Sequence, residues 1–149
     1  MTHAECVVAA NSWLIPKCHF TMPEFFTHNN ELPDVIGFGA SDRSIVIECK
    51  VSRGDFLKDK YKQFRMVPEM GMGSERYYCC PKDLIKPEEL PDNWGLIYVY
   101  PSGYTKKIKD SNGHKRNLKA EHHLLYYYAK RAYFAGVHKT ILDYRGYDR

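Results

Sequence analysis

The segment 33–50, PDVIGFGASDRSIVIECK, constrains this chain more than any other stretch. Two apolar runs flank Gly39-Ala40-Ser41-Asp42 and read as strands joined by a tight turn. Folding about Ser41 sets Asp34 opposite Glu48. Side chains opposed in this way have Cβ atoms about 4.5–5.5 Å apart. Two carboxylates that close repel, and a hard divalent cation such as Mg²⁺ or Mn²⁺ offsets the repulsion. Such ions take carboxylate oxygens together with water and substrate phosphate. Lys50 follows Glu48 by two positions and so shares its face of the strand. Two acids and an amine converging on one spot suit metal-dependent phosphodiester hydrolysis. Asp34, Glu48 and Lys50 are the candidate catalytic residues.

The residues between them support this geometry. In 44–51, Ile45, Ile47, Cys49 and Val51 line one face, and Ser44, Val46, Glu48 and Lys50 the other. Both faces carry apolar residues early in the run, which predicts a strand covered on both sides. Glu48 and Lys50 then emerge at the end of a buried element. A plain surface hairpin with a Glu/Lys pair is the competing account, but such pairs seldom sit on an Ile/Val/Cys strand facing an Asp.

Pro33-Asp34 followed by Glu48-Cys49-Lys50 resembles the PD-(D/E)XK nuclease superfamily. The continuation Val51-Ser52-Arg53-Gly54-Asp55-Phe56-Leu57, with Arg76–Pro81 and Gly95–Val99, is similar to its small MmcB-like bacterial and phage branch. The resemblance spans residues 31–101. It implies a restriction-endonuclease-like α/β core, ordered helix–strand–strand–strand–helix–strand. It also implies Mg²⁺ or Mn²⁺ held by Asp34, Glu48 and the backbone carbonyl of Cys49, with Glu5 of the first helix as a further candidate ligand. Lys50 would orient or deprotonate the attacking water and stabilise developing charge. The substrate class implied is DNA, in a repair, recombination, phage or restriction setting. One-metal and two-metal chemistry both stay open.

Charge adds a second clue. The formal net charge is +4 over 149 residues, but it is unevenly spread. Residues 50–65 hold six basic against two acidic side chains, and residues 104–119 six against one. Such blocks track phosphate backbones in nucleic-acid-binding proteins. Ser52, Arg53, Lys58, Lys60, Lys62 and Arg65 form one candidate contact set, and Lys106, Lys107 and Lys109 another. A solvated helix face and a solvated loop are the plainer accounts of the two blocks.

Length and composition, 44% apolar and 27% charged, predict a single domain over 1–149 with one sizeable core. No apolar run approaches the ~20 residues needed to span a bilayer. The N-terminus shows no basic region ahead of an apolar stretch, the pattern of a signal peptide. Five cysteines (6, 18, 49, 79 and 80) without framework spacing predict reduced thiols in the cytoplasm. Zinc is disfavoured, because Cys79 and Cys80 are adjacent on a strand and no C-x₂-C pair is present.

The order of elements follows from punctuation. Thr2-x-x-Glu5 is a capping box opening a helix that Pro16 ends. Strands are expected over 17–27, 34–39, 44–51, 75–80 and 95–100, giving a mixed sheet of four or five strands flanked by helices. Ser52-x-x-Asp55 opens a helix to Arg65 with Leu57, Tyr61 and Phe64 on one stripe; Asp55 reads as part of that cap. The stretch 66–74 reads as a mobile loop and 103–113 as turns. A last helix runs over 118–134, capped by Asn117 and stopped by Gly136. Its Tyr126, Tyr127, Tyr128, Tyr133 and Phe134 read as core packing, with stacking on bases the sharper alternative.

Two rival classes accompany the nuclease reading: a DNA-binding module of the same fold that does not cut, and an interaction protein with basic patches for an acidic partner.

Overall fold

The computed structural model describes residues 1–25 and 31–137. Helix α1 (His3–Leu14) starts at a reciprocal capping box: the Thr2 hydroxyl accepts from the Glu5 N–H at 3.2 Å, and Glu5 accepts from the Thr2 N–H at 2.7 Å. Pro16 sits in the short 3₁₀ turn Ile15–Lys17 that closes the helix, since its ring cannot continue an α-helical ladder. Strands β1 (Phe20–Pro23), β2 (Val35–Phe38) and β3 (Ser44–Cys49) follow. Ser41 and Asp42 take φ of 55° and 59° at the β2–β3 turn, and the Arg43 N–H closes it onto Ala40 at 3.2 Å. Positive φ at both central positions matches the right-handed twist of the flanking strands.

Helices α2 (Arg53–Asp59) and α3 (Gln63–Met66) then lead into β4 (Glu75–Pro81), β5 (Gly95–Val99), β6 (Thr105–Lys109) and α4 (Leu118–Phe134). The strands lie in sequence order in one sheet, with β3, β4 and β5 parallel and the outer pairings antiparallel. The fold is therefore α/β with helices on both faces, and its first six principal elements run helix–strand–strand–strand–helix–strand if α2 and α3 count together. The sheet has six strands rather than four or five. The additional one is β6, which the sequence analysis read as turns. Its lysines mark an edge strand: charged side chains there keep the unpaired edge from pairing with another chain.

Alternation along the strands builds two layers. Val35, Ile45, Ile47, Cys49, Cys79, Ile97 and Val99 pack against Cys6, Val7, Ala10 and Leu14 of α1. On the other face Phe56 meets Tyr78, Cys80, Trp94, Leu96 and Tyr98, and Leu124 of α4 meets Met22, Ile36, Val46 and Met72. Each fully buried Leu or Ile contributes about 1.5–3 kcal/mol.

Two local expectations give way. The helix expected through Arg65 breaks at 60–62, and its inward face is Phe56 and Asp59. Leu57 and Tyr61, expected to share one stripe with Phe64, are exposed. The segment 66–74 is also not a free loop. The buried Arg76 guanidinium donates to the carbonyls of Gly71 (2.9 Å), Gly73 (3.1 Å) and Lys115 (3.1 Å). The N–H groups of Met72 and Gly73 donate to Glu31 and Glu121. No helix among the described residues is long and apolar enough to cross a membrane.

Candidate functional site

The pairing of Val35 with Ile47 across β2 and β3 puts the next position outward, Asp34, opposite Glu48. Asp34 Oδ2 accepts from the Cys49 N–H at 2.7 Å, which ties its carboxylate to the end of β3. Lys50 Nζ lies 3.4 Å from Glu48 Oε2 and 3.1 Å from Asp59 Oδ1. The three candidate catalytic residues thus meet at the end of β3, with the backbone of Cys49 among them.

Further charged side chains close around Glu48. Arg65 Nη2 stands 3.1 Å from Glu48 Oε1, and Lys62 Nζ 3.7 Å from Oε2. Asp59 is held by Arg65 Nε at 2.7 Å, Lys62 Nζ at 2.8 Å and the Tyr78 hydroxyl, which donates at 2.5 Å. Glu31 accepts from the Met72 N–H at 2.6 Å and reaches Arg65 at 3.8 Å. Four carboxylates (Glu31, Asp34, Glu48, Asp59) therefore meet three cations (Lys50, Lys62, Arg65). Asp34 is the carboxylate with no Lys or Arg within ion-pair distance among the described residues; His3 Nε2 stands 3.4 Å from it, and the Lys50 charge acts on it from farther off.

The titration of these groups follows from that imbalance. Burial first, and the Glu48 charge second, push the Asp34 carboxyl up to about 6. Burial likewise pushes Glu31 up to about 7, against the Met72 hydrogen bond and Arg65. Burial acts in the same sense on Asp59, but Arg65, Lys62 and Tyr78 outweigh it and hold that carboxyl well below the usual range. Burial would lower Lys50, yet Glu48 and Asp59 hold it above the usual lysine value.

The donor set suits a hard divalent cation. Asp34 and Glu48 offer carboxylate oxygens, Cys49 a backbone carbonyl, and Glu48 Oε1 is buried without an aligned hydrogen bond despite its nearness to Arg65. A cation beside Asp34 would also offset the one acid of the four with no Lys or Arg at ion-pair distance among the described residues.

Other expected residues lie elsewhere. Glu5 is exposed, and its carboxylate is engaged by the Thr2 N–H. The first helix instead brings His3 to Asp34. Ser52 caps α2, and Arg53 pairs with Glu89 at 2.7 Å. Lys58 and Lys60 are exposed, as contacts for phosphate require. Arg65 corrects the expectation: its side chain is 1% exposed, too enclosed to touch a nucleic acid, and it serves the acids instead. Lys62 is divided between Asp59, Glu48 and solvent. Lys109 shares a row with Glu48 through Tyr78 and Leu96, three strands away and so about 14 Å distant. Register pairs Lys107 with Ile97 and Lys106 with Tyr98, which puts these two lysines on opposite faces of the sheet. The three do not form one phosphate track.

Sequence reasoning passed over Asp59, Glu31 and His3. Asp59 left a signal, since it follows the buried Phe56 by three and falls where a helix buries its next side chain.

No protein-family model matches the chain, and no curated protein matches it. Among solved structures it is similar to the SPO1766 protein of unknown function from Silicibacter pomeroyi. The two share 20% identity and a TM-score of 0.65, over 100% of this chain and 99% of that one. At that identity the likeness speaks for the fold alone.

Proposed function

We propose that this chain is a Mg²⁺- or Mn²⁺-dependent nuclease of the PD-(D/E)XK type, acting on DNA. The observation that carries the reading is the β2–β3 register, which sets Asp34 against Glu48 with Lys50 two residues on. Asp34, Glu48 and the Cys49 carbonyl would hold the metal ion. When bound, such an ion lowers the pKa of a coordinated water and neutralises charge on the scissile phosphate. Lys50, kept protonated by Glu48 and Asp59, acts as a donor that orients water and stabilises anionic charge, rather than as a base. Arg65 and Lys62 fix Glu48 and Asp59, so the acids are positioned before substrate arrives. Glu31, titrating at about 7, can take or release a proton near neutrality. All five cysteines are free thiols, in keeping with a cytoplasmic setting.

A second reading has its own support. Arg65, Lys62 and Lys50 already compensate Glu48, so the same fold could bind DNA without cutting it. Incubation with labelled duplex, flap and single-stranded DNA, in Mg²⁺, Mn²⁺ or chelator, separates the two. The nuclease reading expects cleavage only with metal, reduced at least about 100-fold by Glu48→Gln or Lys50→Ala. Binding without cleavage of any substrate in either metal would favour the second reading.

A further inference from the structure

Helix α4 buries only Glu121 and Leu124. Lys119, His123, Tyr126, Lys130 and Tyr133 recur at alternating spacings of four and three, so they form one stripe along the helix. That stripe lies on the side away from Leu124, and every member of it is exposed. Phe134, beside it, is 77% exposed, and Tyr126 53%. Core packing, the ordinary role of helical aromatics, therefore does not account for these rings.

The charge of the stripe is one-sided. The only acid between residues 118 and 137 is Glu121. It is turned inward, where Ser44, the Gly73 N–H and Arg116 hold it. Among the described residues the outer face thus presents lysine, histidine and aromatic rings with no carboxylate, and Lys130 Nζ stands 6.0 Å over the Tyr126 ring. At its N-terminal end the stripe runs into an open cleft walled by Lys119, His123, Gln63, Phe64 and Met70, with Glu31 in its lining. Glu31 in turn reaches Arg65, which holds Glu48. At about 180 Å³ the cleft is smaller than the several hundred Å³ of sites that enclose a small molecule; it is an open trough.

We propose that the outer face of α4 is a platform for single-stranded polynucleotide, with bases stacked on Tyr126 and its aromatic neighbours and phosphates on Lys119 and Lys130, leading along the trough toward the acid cluster. This rests on the nuclease reading for its destination but not for its binding chemistry. Exposed aromatics with interleaved cations suit single strands, because every unpaired base offers a π-face and every step a phosphate. A duplex hides those faces. A second copy of this chain is disfavoured as the occupant, since pairing the stripe with itself would bring Lys119, Lys130 and their counterparts together in a seam that wants apolar residues.

The test measures binding of fluorescently labelled oligo-dT and of a duplex of equal length to the full chain, in chelator, across a salt series. Working without metal keeps this result separate from cleavage: platform and nuclease can fail independently. Tyr126→Ala should weaken oligo-dT binding at least about 5-fold, as expected when one base loses its stacking partner, while Tyr126→Phe retains wild-type affinity. Duplex affinity should change less than about 2-fold. Lys119→Ala with Lys130→Ala should flatten the slope of log K against log salt by about 1.4, near 0.7 for each single-strand phosphate that is no longer neutralised. Three outcomes would overturn the proposal: wild type failing to bind oligo-dT, Tyr126→Ala binding it like wild type, or Tyr126→Ala turning a dimer into a monomer.

Discussion

Strand β3 ends in two adjacent residues that enter opposite layers. Glu48 joins a layer of paired charge, where Lys50, Lys62 and Arg65 crowd one carboxylate. Cys49 joins the layer under α1, where its sulfur lies within 4.8 Å of those of Cys6 and Cys79 among apolar side chains. Both residues are almost fully buried, at 2% exposure each. Burial alone therefore says little about function; what decides is the chemistry each layer can satisfy. Hydrogen bonds with Cys6 and Cys79, and then burial, push the Cys49 thiol up, while hydrogen bonds with Cys49 and Cys79 draw the Cys6 thiol down; the three thiols bond to one another within an apolar layer. A thiolate–metal complex there would carry charge into an apolar layer, which is costly, and Mg²⁺ prefers oxygen to sulfur. The charged layer differs in kind. Its groups are held in place by one another, and among the described residues one acid, Asp34, has only a histidine within ion-pair distance.

Removing the hub of the charged layer should have the largest effect. Arg65→Ala takes from Glu48 and Asp59 the most deeply buried of their three cations and should destabilise the protein by about 3–5 kcal/mol, read as a fall in thermal midpoint. A loss under about 1 kcal/mol would mean that the acids do not depend on Arg65 and that the two layers are more alike than described.

The next effect has the opposite sign and depends on pH. The folded-state pKa of Asp34 is raised to about 6, so the folded state accommodates the protonated acid and is penalised as pH rises through that value. Asp34→Asn, which keeps an acceptor for the Cys49 N–H, should leave stability unchanged near pH 4 and raise it by up to about 3 kcal/mol near pH 8. Glu31, raised to about 7, adds a trend of the same sign, so the wild type should melt higher near pH 5 than near pH 8. Denaturant melts of both proteins at the two pH extremes check this; an equal gain at both would detach Asp34 from its titration.

The smallest effect belongs to the thiol layer. Cys49→Ala and Cys79→Ala should each cost about 1 kcal/mol, as for a small buried side chain. If the proposed function holds, neither should change the rate of metal-dependent cleavage, because that reading takes only the backbone carbonyl from Cys49. Loss of cleavage in a folded Cys79→Ala protein would give the sulfur layer a role that packing does not explain.

Much of the fold was legible because local signals agreed with tertiary ones. Thr2 and Glu5 cap α1, and α4 begins after Asn117 and stops before Gly136, each for reasons carried within a few residues. The β2–β3 register was legible because the turn and the apolar alternation fix it together. The fate of Arg65 was not, since a Lys/Arg-rich stretch reads alike whether its charges face solvent or buried acids. Asp59 was masked by Lys58 and Lys60 on either side. The edge strand β6 escaped because Thr105-Lys106-Lys107-Ile108-Lys109, lysine-rich and with a single apolar residue, reads beside Gly103 and Asn112-Gly113 as a turn-rich loop. Its strand character comes from pairing with β5.

Calorimetric titration with Mn²⁺ at pH 5 and pH 7.5, on wild type and Asp34→Asn, tests most directly whether the acid layer is a metal site. The predicted result is binding by the wild type that weakens about tenfold per pH unit below the Asp34 value, where protons compete for the ligand, and loss of that binding in Asp34→Asn. Wild type that takes no Mn²⁺ with or without DNA, or an Asp34→Asn variant that binds it equally well, would contradict a metal site and leave the cluster a closed network of ion pairs.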